Sequence, residues 1–276
     1  MSVTIALRPP WPRPRLPSVA TAVGVLLTGI VVAGAICAPL LTSADPLGLG
    51  GDILSAPTRL HPMGTDDLGR DLFARVLYGG RVSLGIGLFS GLLSVVFGVS
   101  VGMVAGFAGG VLDEVLMRVT EIFQVMPKLL AAVVVVSLVG SSLTNEVLVI
   151  GLLSWPATAR VIRGRVQVLR GQEFIAAARM GGASHLRILW RNLLPNVFAY
   201  VLVSTSLQIA SAIVSESFLS FLGLGDPGHP SWGLLLQQGQ LFLQQAWWLT
   251  TLPGIALAMT VLGMNLLGDG LSKGRG

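Results

Sequence analysis

Apolar residues run through this chain in long unbroken blocks, and the polar positions gather between the blocks instead of alternating within them. Residues 19–41 contain no charged side chain, and apolar runs recur at about 82–108, 117–141, 145–163, 196–218 and 246–268. A hydrocarbon layer about 30 Å thick needs roughly 20 apolar residues per helical crossing. Backbone groups in lipid must also be satisfied within the segment itself. The pattern therefore predicts an all-α membrane protein of about six transmembrane helices.

The polar intervals divide the rest. Residues 1–18 form a Pro-rich tail with Arg8, Arg13 and Arg15, and 19–41 is the first span. A cleaved signal peptide also starts basic and then turns apolar, but this run exceeds the 7–15 residues of a signal core, which favours a retained helix. Residues 42–81 are an external segment in which Asp66, Asp67, Arg70, Asp71 and Arg75 have the spacing of helical charge pairs, so an amphipathic helix is expected there. A five-helix core fills 82–268, interrupted by the basic, amphipathic loop 164–195, and residues 269–276 are a tail with Lys273 and Arg275. The loop 219–245 has no Lys or Arg but a cluster of Gln residues, making it an external contact candidate.

Composition supports a bilayer as solvent. The chain is 53% hydrophobic and 11% charged, against about 25% charged residues in soluble domains, and its mean hydropathy is +0.77. That excludes an ordinary cytosolic enzyme. The net charge of +5 could suggest nucleic acid, but seven of the 18 basic residues lie between Arg160 and Arg191, beside apolar runs. Such a bias marks a cytoplasmic loop and places both termini in the cytoplasm. Cys37, the single cysteine, can form no intrachain disulfide and reads as a packed small residue. Gly98, Gly102, Gly106 and Gly110 repeat every four residues, a stripe that lets a second helix approach closely.

Within 164–195, residues 173–180 are good helix formers, Gly181-Gly182 breaks them, and Ser184 can cap a second short helix that Pro195 ends. Leu186, Leu189, Trp190 and Leu193 would share one face of that helix. The residues alone fit either a docking element for a soluble partner or an interfacial helix resting on lipid headgroups.

This stretch resembles the cytoplasmic coupling loop of ATP-binding-cassette importer permeases, with Ala177, Ala178, Gly182, Leu194 and Pro195 in place. Ala176 stands where that pattern has Glu, and Asn192 where it has Ile. His61–Leu84, Asp113–Pro127, Ser154–Val166, Ser215–Gly225, Pro230–Gly233 and Asn265–Leu271 each resemble their own part of the dipeptide/oligopeptide/nickel permeases, in the same order. The chain is most similar to the second permease subunit of that family.

The resemblance implies a bacterial inner-membrane importer subunit, half of a heterodimeric pore for short peptides, nickel or a metal–chelator complex. Its implied partners are a second permease, two cytoplasmic ATPases carrying ATP and Mg, and an external substrate-binding protein. Coupling to the ATPases would fall to Glu173, Ala177, Ala178, Gly182, Ala183, Ser184, Arg187 and Pro195. The chain is expected to hold no cofactor itself: Lys128 and Lys273 are its only lysines, and neither lies in a Walker loop. No metal-ligand spacing joins His61, His185 and His229.

Three ionisable residues are candidates for the pore or substrate path. Lys128 follows Pro127 near mid-span, where a cation costs about 2.5–3.5 kcal/mol on insertion scales. It is either a pore cation that attracts a carboxylate, a snorkelling side chain, or the partner of an acid such as Glu121. Glu121 is one turn from Arg118, a spacing that favours an ion pair. Glu216, before the SFLGLG turn, reads as a structural anchor for a re-entrant or gate segment. The rival reading is a self-sufficient secondary transporter or channel, with Glu121 and Lys128 as its ion site.

Overall fold

A computed structural model describes residues 19–50 and 52–273. Arg8, Arg13, Arg15 and Arg275, and the side chain of Lys273, lie outside the described residues, so the tails are not placed. Among the described residues the regular structure is helical. Five helices among the described residues are long and apolar enough to cross a bilayer, and a bent pair makes a sixth crossing if counted as one.

The first crossing is α1 (Val19–Ile36), followed after Cys37 by the single turn α2 (Ala38–Leu41). Arg81 donates to the Ala35 and Ile36 carbonyls at 2.6 and 2.8 Å, satisfying acceptors that the end of α1 leaves open. The charge-rich stretch from Asp45 to Asp71 is irregular, which corrects the expected amphipathic helix. Pro57, Pro62, Gly64 and Gly69 punctuate it, and the charges organise turns instead of a helical face. Asp66 is buried and accepts from the Leu68 and Arg70 backbone, from Arg70 Nε at 2.7 Å, and from Arg75. Asp71 caps the next helix through Ala74 N–H at 2.7 Å, while its other oxygen meets His61.

That helix, α3 (Leu72–Ala108), begins ten residues before the expected start at 82 and has 37 residues, a length of about 55 Å. It is the axis of the bundle, packed along α6 (Leu143–Arg170) and α9 (Leu194–Phe221), with α1 and α11 (Trp248–Lys273) paired beside α9. The glycine stripe is the seam. A Cβ at Gly98, Gly102 or Gly106 would sit 2.8, 2.5 or 2.8 Å from a carbonyl oxygen of α6. Gly110 has open space around it and takes no part.

Between α3 and α6 the third crossing is broken. Helices α4 (Gly110–Val125) and α5 (Lys128–Val139) meet at 84°. Met126 precedes Pro127 and is extended at ψ 129°, the conformation that a following proline imposes. The continuous span expected at 117–141 is thus two shorter helices. Pro156 and Pro253, by contrast, lie inside unbroken helices.

Three apolar clusters fill the interior. One joins Leu72, Val76, Ile213, Trp232 and Trp248, and a middle cluster joins Ile86, Val136, Ile150 and Leu219. The third, formed by Phe107, Ile162, Ile175, Ile188, Leu193 and Val197, holds the segment after α6.

Candidate functional site

That segment is built from two helices and a glycine turn. Helix α7 (Glu173–Met180) buries Ile175 in the third cluster and leaves Glu173, Ala177 and Met180 exposed. It ends in a Schellman turn: Gly182 N–H donates to the Arg179 carbonyl and Ala183 N–H to the Ala178 carbonyl, both at 3.0 Å. Gly182 has φ 75°, the left-handed geometry the motif requires, and a side chain there would project into open space. Ala178 and Ala183, whose apolar contact accompanies such turns, both pack on the cluster beneath.

Ser184 then caps α8 (His185–Arg187), accepting from Arg187 N–H at 3.4 Å. The second helix is not short. A π-helical run (Ile188–Leu193) joins α8 to α9, so helix continues from His185 to Phe221. Pro195 sits in the first turn of α9 and does not stop the element, a correction to the sequence reading. The wide turn also shifts the phase of the helix. Ile188, Leu193 and Val197 face inward, whereas Leu186 and Trp190 of the expected apolar face are exposed.

Neighbouring helix ends clamp this element. Phe107 at the end of α3 meets the His185 ring edge-on at 5.6 Å and lies under the Arg179 guanidinium at 5.5 Å. Beside it, Arg163 of α6 grips Asp113 of α4 with two bonds of 2.6 and 2.7 Å, and Gln167 adds a third. The sequence carries no sign of this tie between α4 and α6, because Arg163 falls among the seven basic residues from Arg160 to Arg191. The 50-residue gap to Asp113 carries no local signal.

The pore candidates lie apart. Glu121 is exposed on α4 and pairs with Arg118 at 3.2 Å, the i,i+3 contact expected of it. Lys128 opens α5 and donates to Ser211 Oγ of α9 at 3.1 Å. Among the described residues no carboxylate lies within 4.0 Å of it, so Lys128 and Glu121 do not form a common site.

Glu216 is fully buried in α9 and accepts from the hydroxyls of Ser83, Ser217 and Ser220 at 3.0, 3.2 and 2.9 Å. Ser83 Oγ in turn accepts from Trp232 N–H at 3.1 Å, linking α3, α9 and α10 (Trp232–Gly239). Trp232 Nε1 donates to the Val76 carbonyl at 2.9 Å, and Gly233 is close enough to α9 that a Cβ would lie 2.5 Å from the Ser217 carbonyl. Glu216 therefore anchors the short helix instead of facing a path. Gln238, from the Gln-rich loop, is spent on Arg75 at 2.8 Å. His61 and His229 pair with Asp71 and Asp226, and no cluster able to hold a metal occurs among the described residues.

Over residues 98–273 the chain matches the family described as binding-protein-dependent transport system inner membrane component. It is 37% identical to the dipeptide transport system permease protein DppC of Alkalihalophilus pseudofirmus, across 90% of this chain and 83% of that one. It is also 37% identical to the di/tripeptide transport system permease protein DppC of Pseudomonas aeruginosa, across 90% and 84%. The glutathione transport system permease protein GsiD of Pectobacterium atrosepticum is 38% identical, across 78% of this chain and 72% of its own.

Proposed function

The chain belongs to the family of binding-protein-dependent transport system inner membrane components, and on that premise we propose that it forms half of a two-permease pore importing short peptides. It is a multi-pass inner-membrane transport subunit and not an enzyme. The energy comes from ATP and Mg held by two cytoplasmic ATPases, and an external binding protein delivers the substrate. The other half of the pore is a homologous permease, to which this chain is the second subunit. Both termini face the cytoplasm, on the side of the basic segment that includes Arg160, Arg165, Arg170, Arg179, Arg187 and Arg191.

One observation carries the reading: α7 and its Schellman turn are fastened from below by Ile175, Ala178 and Ala183, while Glu173, Ala177, Gly182, Ser184 and Arg187 stay exposed. A segment rigid on one face and open on the other can pass a push from a docked ATPase into α6 and α9. Pro195 supports this only as a residue of the continuous helix that receives the push. Short peptides are favoured over nickel or metal chelates because the relatives are named for dipeptides, di/tripeptides and glutathione. A self-sufficient transporter is disfavoured because Glu121 and Lys128 do not assemble into an ion site.

The test is Gly182→Arg, with Gly182→Asp as the milder variant. A side chain at φ 75° is strained, by about 1–2 kcal/mol for most residues, and it projects from the docking face. Both variants should reach the membrane and assemble, with ATP hydrolysis continuing while peptide uptake falls at least tenfold. Uptake at the normal rate would remove the coupling role.

A further inference from the structure

Among the described residues, Lys128 is a cation inside the membrane-spanning bundle that the coupling scheme leaves unexplained. It begins α5 at the 84° break, half-buried, and its side chain turns toward α9. Ser211, its partner, is about 15 Å along α9 from the helix end at Phe221, at 1.5 Å per residue. Taking that helix end as the edge of a hydrocarbon core about 30 Å thick puts the point near mid-depth. The ammonium is thus held across the bundle and does not snorkel to a headgroup.

Around it is a cavity of about 460 Å³ between α5, α9 and α11, within the size range that small ligands occupy. Its polar lining is Lys128, Ser211, Ser215 and Asn265, among apolar side chains that include Leu207 and Val261. An ammonium has three donors, and Ser211 takes one at 3.1 Å. Among the described residues no acid neutralises the charge. Asn265 donates one amide N–H to the Val261 carbonyl at 2.9 Å, which leaves its acceptor oxygen and a second N–H to offer a ligand. Ser215 likewise donates to the Ser211 carbonyl at 2.8 Å.

We propose that this cavity is a transit site for the free carboxylate of a short peptide, received by the Lys128 ammonium and the Ser211 hydroxyl. The chemistry selects the ligand class. A lone cation repels free metal ions and needs an anion to offset its burial. With no second basic residue in the lining among the described residues, a singly charged carboxylate suits it better than a dianion. The acceptor atoms of Asn265 and Ser215 complement the N–H groups a peptide carries behind that carboxylate.

This inference rests on the permease reading, and the experiment separates the two. The assembled importer, with its receptor, is placed in proteoliposomes, and uptake of dialanine is compared with uptake of dialanine amide, which lacks the charge. The receptor is common to wild type and variants, so its preference cancels in each variant-to-wild-type ratio. Lys128→Met should lower dialanine uptake at least tenfold and the amide no more than twofold. Lys128→Arg should restore dialanine uptake, and substrate-independent ATP hydrolysis should persist in both variants. Equal loss of acid and amide overturns the proposal, since it is the signature of a structural ion pair to the neighbouring permease. Unchanged dialanine uptake in Lys128→Met overturns it as well. If wild type takes up neither peptide, the peptide-importer reading fails first and the carboxylate site with it.

Discussion

Replacing Gly102 with Val tests whether the glycine stripe holds the bundle together. The new Cβ would start 2.5 Å from the Ala159 carbonyl oxygen and 3.0 Å from Ile162 Cβ and Arg163 N. Ordinary contact begins near 3.4 Å, so α3 and α6 would have to part by about 0.9 Å before the valine methyls are counted. Backbone on both sides leaves no flexible side chain to yield. Overpacking of this kind costs about 1–3 kcal/mol, and the rigid surroundings put Gly102→Val near the top of the range. Better helix propensity returns only a few tenths of a kcal/mol. At about 2–4 °C per kcal/mol for a chain of this order, the melting temperature should drop by about 6–12 °C. Gly85→Val is the control, because it lies on the same helix with nothing within 4 Å of its Cβ. Thermal unfolding of both variants in the same detergent, followed by tryptophan fluorescence, gives the comparison. Equal melting temperatures would refute the seam.

Other contacts make independent predictions. Removing Arg163 or Asp113 singly strands a charge at the α4–α6 junction, so a double-mutant cycle with Arg163→Ala and Asp113→Ala should give a coupling energy of about 1–3 kcal/mol by thermal unfolding. Additive losses would show that the pair is idle. Glu216→Ala removes the shared acceptor of three hydroxyls and should cost about 2 kcal/mol or more. Glu216→Gln keeps an acceptor and should recover much of that loss in the same melting assay, and an equal loss in both variants would contradict an anchoring role.

Long apolar runs and the four-residue glycine repeat were legible in the sequence because each follows from a single physical period. Gly182 was legible as a special turn, although the Schellman bonds to Ala178 and Arg179 depend on geometry that spacing alone does not reveal. Other features depend on turns and packing that residue spacing does not fix. Asp66 and Arg70 do pair at 2.7 Å, but an i,i+4 spacing is also reachable across a turn, and Gly69 and the prolines upstream tipped the chain that way. Pro127 broke its span whereas Pro195, which sits in the first turn of α9 behind a π-helical run, did not. That run rotated Trp190 outward and Ile188 inward. Long-range ties such as Arg163 to Asp113, Lys128 to Ser211 and Ser83 to Glu216 had no signature in one sequence, because they depend on which helices lie side by side.

The central claim is that this chain is one subunit of an ATP-driven complex. Its most direct test is to purify the tagged chain from its native membrane in mild detergent, with an ATP analogue present, and identify the retained proteins by mass spectrometry. A second, homologous permease together with one or two Walker-motif ATPases is the predicted result. Recovery of the chain alone, under conditions that keep other transporter complexes intact, would contradict it.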